Sequence, residues 1–209
     1  MNKEPLFIAN SNMPDEIKRT RIFRGFYVTN PHLVFFIFTP LAVVMALFSV
    51  FYFKIPLIEI LIAAALSVPV WTIFEYCMHR FLFHFESENS FMKKFLYTVH
   101  HGHHDYPNDN RLMLVSPAIS LTSYAAILGL VYLAFGMIAI PFMAGFAICY
   151  MFYDWLHYAS HNYNFKTPVF QKLKKHHLRH HYRDDTKNFG FTSFVCDTFF
   201  KTIHRALEK

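Results

Sequence analysis

Cysteine is scarce in this 209-residue sequence: Cys77, Cys149 and Cys196 lie far apart, share no CxxC spacing and sit in or beside apolar segments. Such residues read as reduced bystanders, not as redox or metal chemistry. Common enzyme motifs are also missing. There is no Walker phosphate loop, no GxGxxG, no nucleophile elbow and no HExxH pair, so no catalytic serine or cysteine is indicated. A charged stretch of about 30 residues occupies the N-terminus where a signal peptide would need its apolar core, and no cleaved leader is expected. No fixed-period repeat, low-complexity tract or linker divides the chain, and residues 1–209 are expected to form one domain.

Charge, too, is missing where it matters most. Residues 31–53 contain no charged side chain, and residues 56–74 contain only Glu59, near one end of the run. Two further apolar runs cover about 117–140 and 141–156, with Asp154 near the end of the last. A helix needs about 20 such residues to cross a ~30 Å hydrocarbon core. The expectation is an all-α integral membrane protein with four transmembrane helices, the third and fourth joined by a tight hairpin near Gly136 to Pro141.

Loop charge orients these spans. Residues 1–30 hold five Lys or Arg, the segment after the second span holds four (Arg80, Lys93, Lys94 and Arg111) and the tail holds ten, whereas the opposite side has Lys54 alone. By the positive-inside rule both termini and the loop between spans two and three are expected in the cytoplasm. The net charge of +6 then needs no nucleic-acid partner, because the aromatics lie inside apolar runs instead of interleaving with an exposed basic patch. The tail from Phe165 onward is rich in His and aromatics and is expected to fold back against the membrane core.

Against these absences stands an excess of histidine. Twelve of fourteen lie between His79 and His181, in four groups that fall on the expected cytoplasmic side. Positions i, i+3 and i+4 share one face of an α-helix, so His100, His103 and His104 point together, as do His177, His180 and His181. His157 and His161 add a pair at i, i+4. His79 and His84 are five apart, which places His84 beyond the helix end or after a distortion. These ten candidates make five ligands for each of two metals, more than one tetrahedral zinc accepts. His101 and His176 break the helical phase and are expected behind the ligands or at an interface, while His32 and His204 stand alone. Imidazole suits Fe, Zn, Cu and Ni alike. Glu75, four before His79, and Asp154, three before His157, are candidates to orient those ligands, or simply to cap or pair at the interface.

At these residues the chain resembles the fatty acid hydroxylase superfamily, which includes sterol desaturase-like proteins, and within it the fatty acid 2-hydroxylases. The matching words are EYCMHRFLFH (75–84), HHGHHDYPND (100–109), YDWLHYASH (153–161), LKKHHLRHH (173–181) and FGFTSFVCDTFFKT (189–202). The resemblance implies a four-helix membrane core under a cytoplasmic histidine-rich cap holding a dinuclear metal centre. It implies two Fe ions that use O2 and two electrons to hydroxylate C2 of a long acyl chain, free or linked to a sphingolipid or ceramide, with Zn an expected substitute on isolation. By matching positions the ligands are His79, His84, His100, His103, His104, His157, His161, His177, His180 and His181, with no catalytic residue apart from them. The first 30 residues have no room for the cytochrome b5 domain that many relatives carry, so electrons are expected from a separate donor such as cytochrome b5 or ferredoxin with a reductase. RLMLVSP (111–117) departs from the form associated with the branch and is expected to bear on substrate access.

Tyr153, Tyr158 and Tyr163 are candidates to line an acyl slot or to pack at the membrane interface. The membrane is expected to be the cytoplasmic membrane in a bacterium and the endoplasmic reticulum in a eukaryote. Rival readings are a sterol or carotenoid hydroxylase or desaturase, a metal transporter, whose ligands belong near the bilayer midplane, and a non-catalytic zinc cap.

Overall fold

A long apolar run in lipid must satisfy its backbone hydrogen bonds internally, and a helix does so. In the computed structural model, which describes residues 32–204, the long apolar runs are helical. Helix α1 covers Leu33–Leu47 and continues as a π-helix, Phe48–Tyr52. Helix α2 covers Leu57–Cys77 and continues as a second π-helix, Met78–Phe83. Then come α3 (Ser90–Leu96), a π turn (Tyr97–His101) and the short α4 (Gly102–Asp105). Helix α5 covers Pro117–Phe135, α6 Ala139–Asn162, α7 Pro168–Tyr182 and α8 Val195–Phe199. The basic segment 1–30, the expected span start at Pro31 and residues 205–209 lie outside the described residues.

Among the described residues three helical stretches are long and apolar enough to cross a membrane: Leu33–Tyr52, Leu57–Phe83 and Pro117–Asn162. The sequence leads to an expectation of four. The third stretch, 46 residues long, contains both α5 and α6, divided by a 3-10 turn at Gly136–Ile138. Gly136 opens the turn at φ +67°, where L side chains are strained. Tyr124 of α5 donates to the Met143 carbonyl of α6 at 2.7 Å. Two helices also run past the limits set by hydropathy: α2 with its π turn reaches Phe83 and not 74, and α6 reaches Asn162 and not 156. The polar residues that end each apolar run are buried by other elements, so the helix continues through them.

Outward faces of α1, α2 and α5 are apolar, with Phe36 72%, Leu57 65% and Leu133 83% exposed, a surface suited to lipid and not to water. Inward, Val34, Phe38, Ala42 and Met45 of α1 pack with Trp71, Tyr124 and the Met143 to Met151 face of α6. Helix α6 is the central post, against which α1 and α2 both lie. Its Gly145 lets backbones approach: a Cβ there would sit 2.5 Å from Ser67 Oγ and 2.8 Å from the Ala64 carbonyl. Small residues serve this purpose where lipid removes the hydrophobic drive between helices. The tail does fold back, α7 onto α6 and α8 onto α2, with Tyr76 Oη 3.0 Å from Thr202 Oγ1.

Gly145→Val forces α2 and α6 apart and is expected to cost about 1–3 kcal/mol. Thermal unfolding in detergent checks this, and an unchanged midpoint would refute close α2–α6 packing.

Candidate metal centre

Of the three π segments, the two after α2 and α3 end at or beside histidines. In Met78–Phe83 the His84 amide donates to the His79 carbonyl at 3.2 Å, an i to i+5 bond that stacks the two residues one wide turn apart. Such insertions are frequent at functional sites, and this one brings together two imidazoles that a regular helix would splay. The π turn after α3, Tyr97–His101, interrupts the regular helix expected across residues 100–104.

The ten sequence-selected histidines gather into two groups of five, His79, His84, His100, His104 and His180 in one and His103, His157, His161, His177 and His181 in the other. Within each group the candidate ligand nitrogens all lie within 4.8 Å of one another. Neither HxxHH word stays together. His103 parts from His100 and His104, and His180 parts from His177 and His181. The two groups touch, since His104 and His181 stack with ring centroids 4.2 Å apart. His101 and His176 belong to neither group. His101 lies beside the His84 ring, and His176 donates through Nε2 to Asp197 Oδ2 at 2.9 Å.

The nitrogens face inward in a way that protein groups alone do not satisfy. His79 Nδ1–H donates to the Phe189 carbonyl at 2.6 Å and His180 Nδ1–H to the Lys187 carbonyl at 2.7 Å. Each therefore presents a bare Nε2 lone pair to the group centre. His84 Nε2 lies 3.0 Å from His180 Nε2 and 3.3 Å from His79 Nε2, and His157 Nε2 is 2.9 Å from His103 Nε2. Buried nitrogens of His103, His104, His177 and His181 have no hydrogen-bond partner. Converging lone pairs with orphaned donors suit a cation better than they suit one another. Burial, reinforced by neighbouring imidazoles, pushes His84 down to about 2 and holds His100, His103, His104, His177, His180 and His181 well below the ordinary value. Each ring is thus held neutral, with one nitrogen bare and ready to ligate.

A loop frames both groups. Buried Asp197 accepts from the Phe189 and Gly190 amides at 2.9 and 2.7 Å, and buried Glu75 accepts from the next two, Phe191 and Thr192, at 2.5 and 2.9 Å. Gly190 is required here, because a Cβ would collide with the Ser193 carbonyl. Phe189 packs against His79, His84 and His180, while Phe191 packs against His157 and His177. Glu75 thus acts on His79 through the loop, not by direct contact. Asp154 makes no hydrogen bond to His157; it is buried with its Oδ2 unpaired. Asp197 escapes attention in the sequence, where its only mark is being the lone acid among residues 188–200.

An apolar cavity of about 130 Å³ adjoins the histidines, walled by α1, α2, α5 and α6. Two of its lining residues also touch the groups: Phe83 stacks on His100 and Tyr153 stacks on His157. Tyr158 and Tyr163 do not line it; they pack on each other, and Tyr163 meets Phe165.

The family model described as fatty acid hydroxylase matches residues 64–202. A dihydroceramide fatty acyl 2-hydroxylase of Arabidopsis thaliana is 33% identical over 146 residues, 69% of this chain and 62% of the relative. A ceramide very long chain fatty acid hydroxylase of Saccharomyces cerevisiae is 37% identical over 142 residues, 65% of this chain but only 36% of the relative. Among solved structures, full-length scs7p, with only its hydroxylase domain visible, superposes with a TM-score of 0.80 at 29% identity, covering 85% of this chain and 67% of that one.

Removing the loop's anchor tests the frame. Asp197→Ala orphans the buried amides and is expected to cost about 3 kcal/mol or more and to lower bound metal, with Asp197→Asn milder; unchanged unfolding and metal content in the alanine variant would refute it. For the metal-free protein, an unfolded chain with ordinary histidines binds more protons than the fold below about pH 6.5, so stability is full above that pH and falls beneath it. Melting of chelator-treated protein at about pH 7.5 and about pH 5.5 reads this, and a flat profile would rule out neutral buried imidazoles.

Proposed function

The chain belongs to the fatty acid hydroxylase family, and from that membership we propose that it is an O2-dependent hydroxylase of long-chain fatty acyl groups, acting at C2 of a free or sphingolipid-linked chain. The observation that carries the proposal is the pair of five-histidine groups beside an apolar cavity. One metal ion is assigned to His79, His84, His100, His104 and His180, the other to His103, His157, His161, His177 and His181. Iron is the working metal, and zinc, equally at home among imidazoles, is its expected substitute during isolation. When bound, two iron ions with O2 and two electrons supply the oxidising power for C–H hydroxylation.

The protein's own work is positional. Nδ1 bonds to the Phe189 and Lys187 carbonyls fix His79 and His180 in the tautomer that leaves Nε2 free. Phe83, Phe189 and Phe191 cover imidazole rings and keep water from the site. No side chain is needed as general acid or base. The acyl tail lies in the cavity, and Phe83 and Tyr153 at its wall set the distance between chain and histidines. In the membrane α1, α2, α5 and α6 make four crossings, with the histidine end cytoplasmic. Electrons come from a separate protein donor, cytochrome b5 or ferredoxin with its reductase.

Expression in a lipid-producing host without its own hydroxylase, followed by mass spectrometry of total acyl chains, tests the reading. New 2-hydroxy acids are expected from the wild type and not from His180→Ala. An unchanged acyl profile, with iron bound and a working donor, would overturn it in favour of a sterol or carotenoid substrate.

A further inference from the structure

A second apolar cavity, about 560 Å³, lies between α2 and α5 on a floor formed by α6. It adjoins the cavity beside the histidines across a shared wall, Phe74, Ile127 and Phe146, which line both. The junction is narrow and aromatic: the Phe74 and Phe146 rings meet edge to face at 5.2 Å, and Trp71 closes on Phe146 at 4.9 Å. Beyond it the groove runs along α2 as far as Glu59 at the opposite end of the helix.

We infer that this distal groove is a binding site for the far half of the substrate's alkyl chain, and that the Phe74–Phe146 pair with Ile127 is the constriction a long chain must pass. The inference rests on the acyl hydroxylase reading and adds how that site measures chain length. From His79 to Trp71 along α2 is eight residues, about 12 Å at 1.5 Å per residue. An extended alkyl chain advances about 1.3 Å per carbon with ordinary C–C bonds, so the proximal cavity takes about nine carbons. The twelve residues from Trp71 to Glu59 add about 18 Å, enough for a long-chain tail. The occupant follows from adjacency: a chain that passes the Phe74–Phe146 constriction from the histidine end enters the distal groove as one unbranched apolar chain. The distal walls suit it, being apolar except for Glu59 at the far end. The slot between α2 and α5 also gives the chain a lateral way in from the bilayer.

Val70 of α2 and Val131 of α5 line the distal groove only. Val70→Trp and Val131→Trp, made separately, fill it from opposite walls while keeping the residues apolar. Each purified variant, checked for wild-type metal content, is given acyl substrates in a ladder of lengths, and 2-hydroxy products are quantified. The expected result is a loss of roughly tenfold or more for chains longer than about ten carbons, with shorter chains retained. An unchanged length profile in both variants, or an equal loss at every length, overturns the inference. Failure of the reaction reading looks different, since wild-type protein then yields no 2-hydroxy product of any length.

Discussion

The site hangs on four consecutive backbone amides. Those of Phe189, Gly190, Phe191 and Thr192 are each taken by a buried carboxylate, the first pair by Asp197 and the second by Glu75. Leaving such a buried amide without its acceptor costs about 1–3 kcal/mol each. So anchored, the loop turns its carbonyls at Lys187 and Phe189 toward His180 and His79 and its two phenylalanine rings toward one histidine group apiece. The same carboxylates tie distant parts of the chain together, Glu75 from α2 and Asp197 from α8. Buried Asn188, at φ +57°, continues the frame by donating to the His176 carbonyl and accepting from the His204 amide.

The two histidine groups are interleaved. Helix α2 and its π turn supply only the first group and α6 only the second, whereas the 100–104 segment and α7 supply both. An element shared in this way cannot settle on one group without placing its side chain in the other. With metals bound as proposed, binding adds directly to the stability of the tertiary fold, because no such ligand set exists in the unfolded chain.

Much of this was legible beforehand, for physical reasons that also explain what was not. Uncharged runs identify α1, α2, α5 and α6, since burial in lipid tolerates few charges. Ten histidines at repeated spacing mark the site, and the family resemblance selects the same ten. Their partition was hidden, because an α-helical period of 3.6 puts His100, His103 and His104 on one face and says nothing about two facing centres. The irregular spacing of His79 and His84 did signal a distortion, which is the π turn. Glu75 was chosen for helical proximity to His79, yet apart from Trp71, whose Nε1 donates to it from one turn back, its partners lie 116 and 117 residues away, beyond any local pattern. The helices run past the apolar runs because hydropathy follows solvent, while Glu75, His79 and His157 are shielded by protein.

Ligand chemistry and membrane position constrain each other. Neutral imidazoles can be buried before any metal arrives at far lower cost than carboxylates, whose ionised form loses its hydration. That makes an all-histidine set affordable at the edge of the hydrocarbon. Once two cations occupy such neutral sets, however, the charge is uncompensated by the ligands themselves. Buried acids stand at the same end of the bundle: Glu75 and Asp197, which hold the loop, and Asp154 from α6, one turn before His157, with an oxygen still unpaired. Placing the acids behind the imidazoles instead of on the metal leaves the cavity wall mostly apolar, with Glu75 the one of the three that reaches it. Phe83 and Tyr153 can then face a hydrocarbon chain while their rings rest on His100 and His157. A carboxylate in the ligand position would bring its hydration to the wall where the acyl chain has to lie.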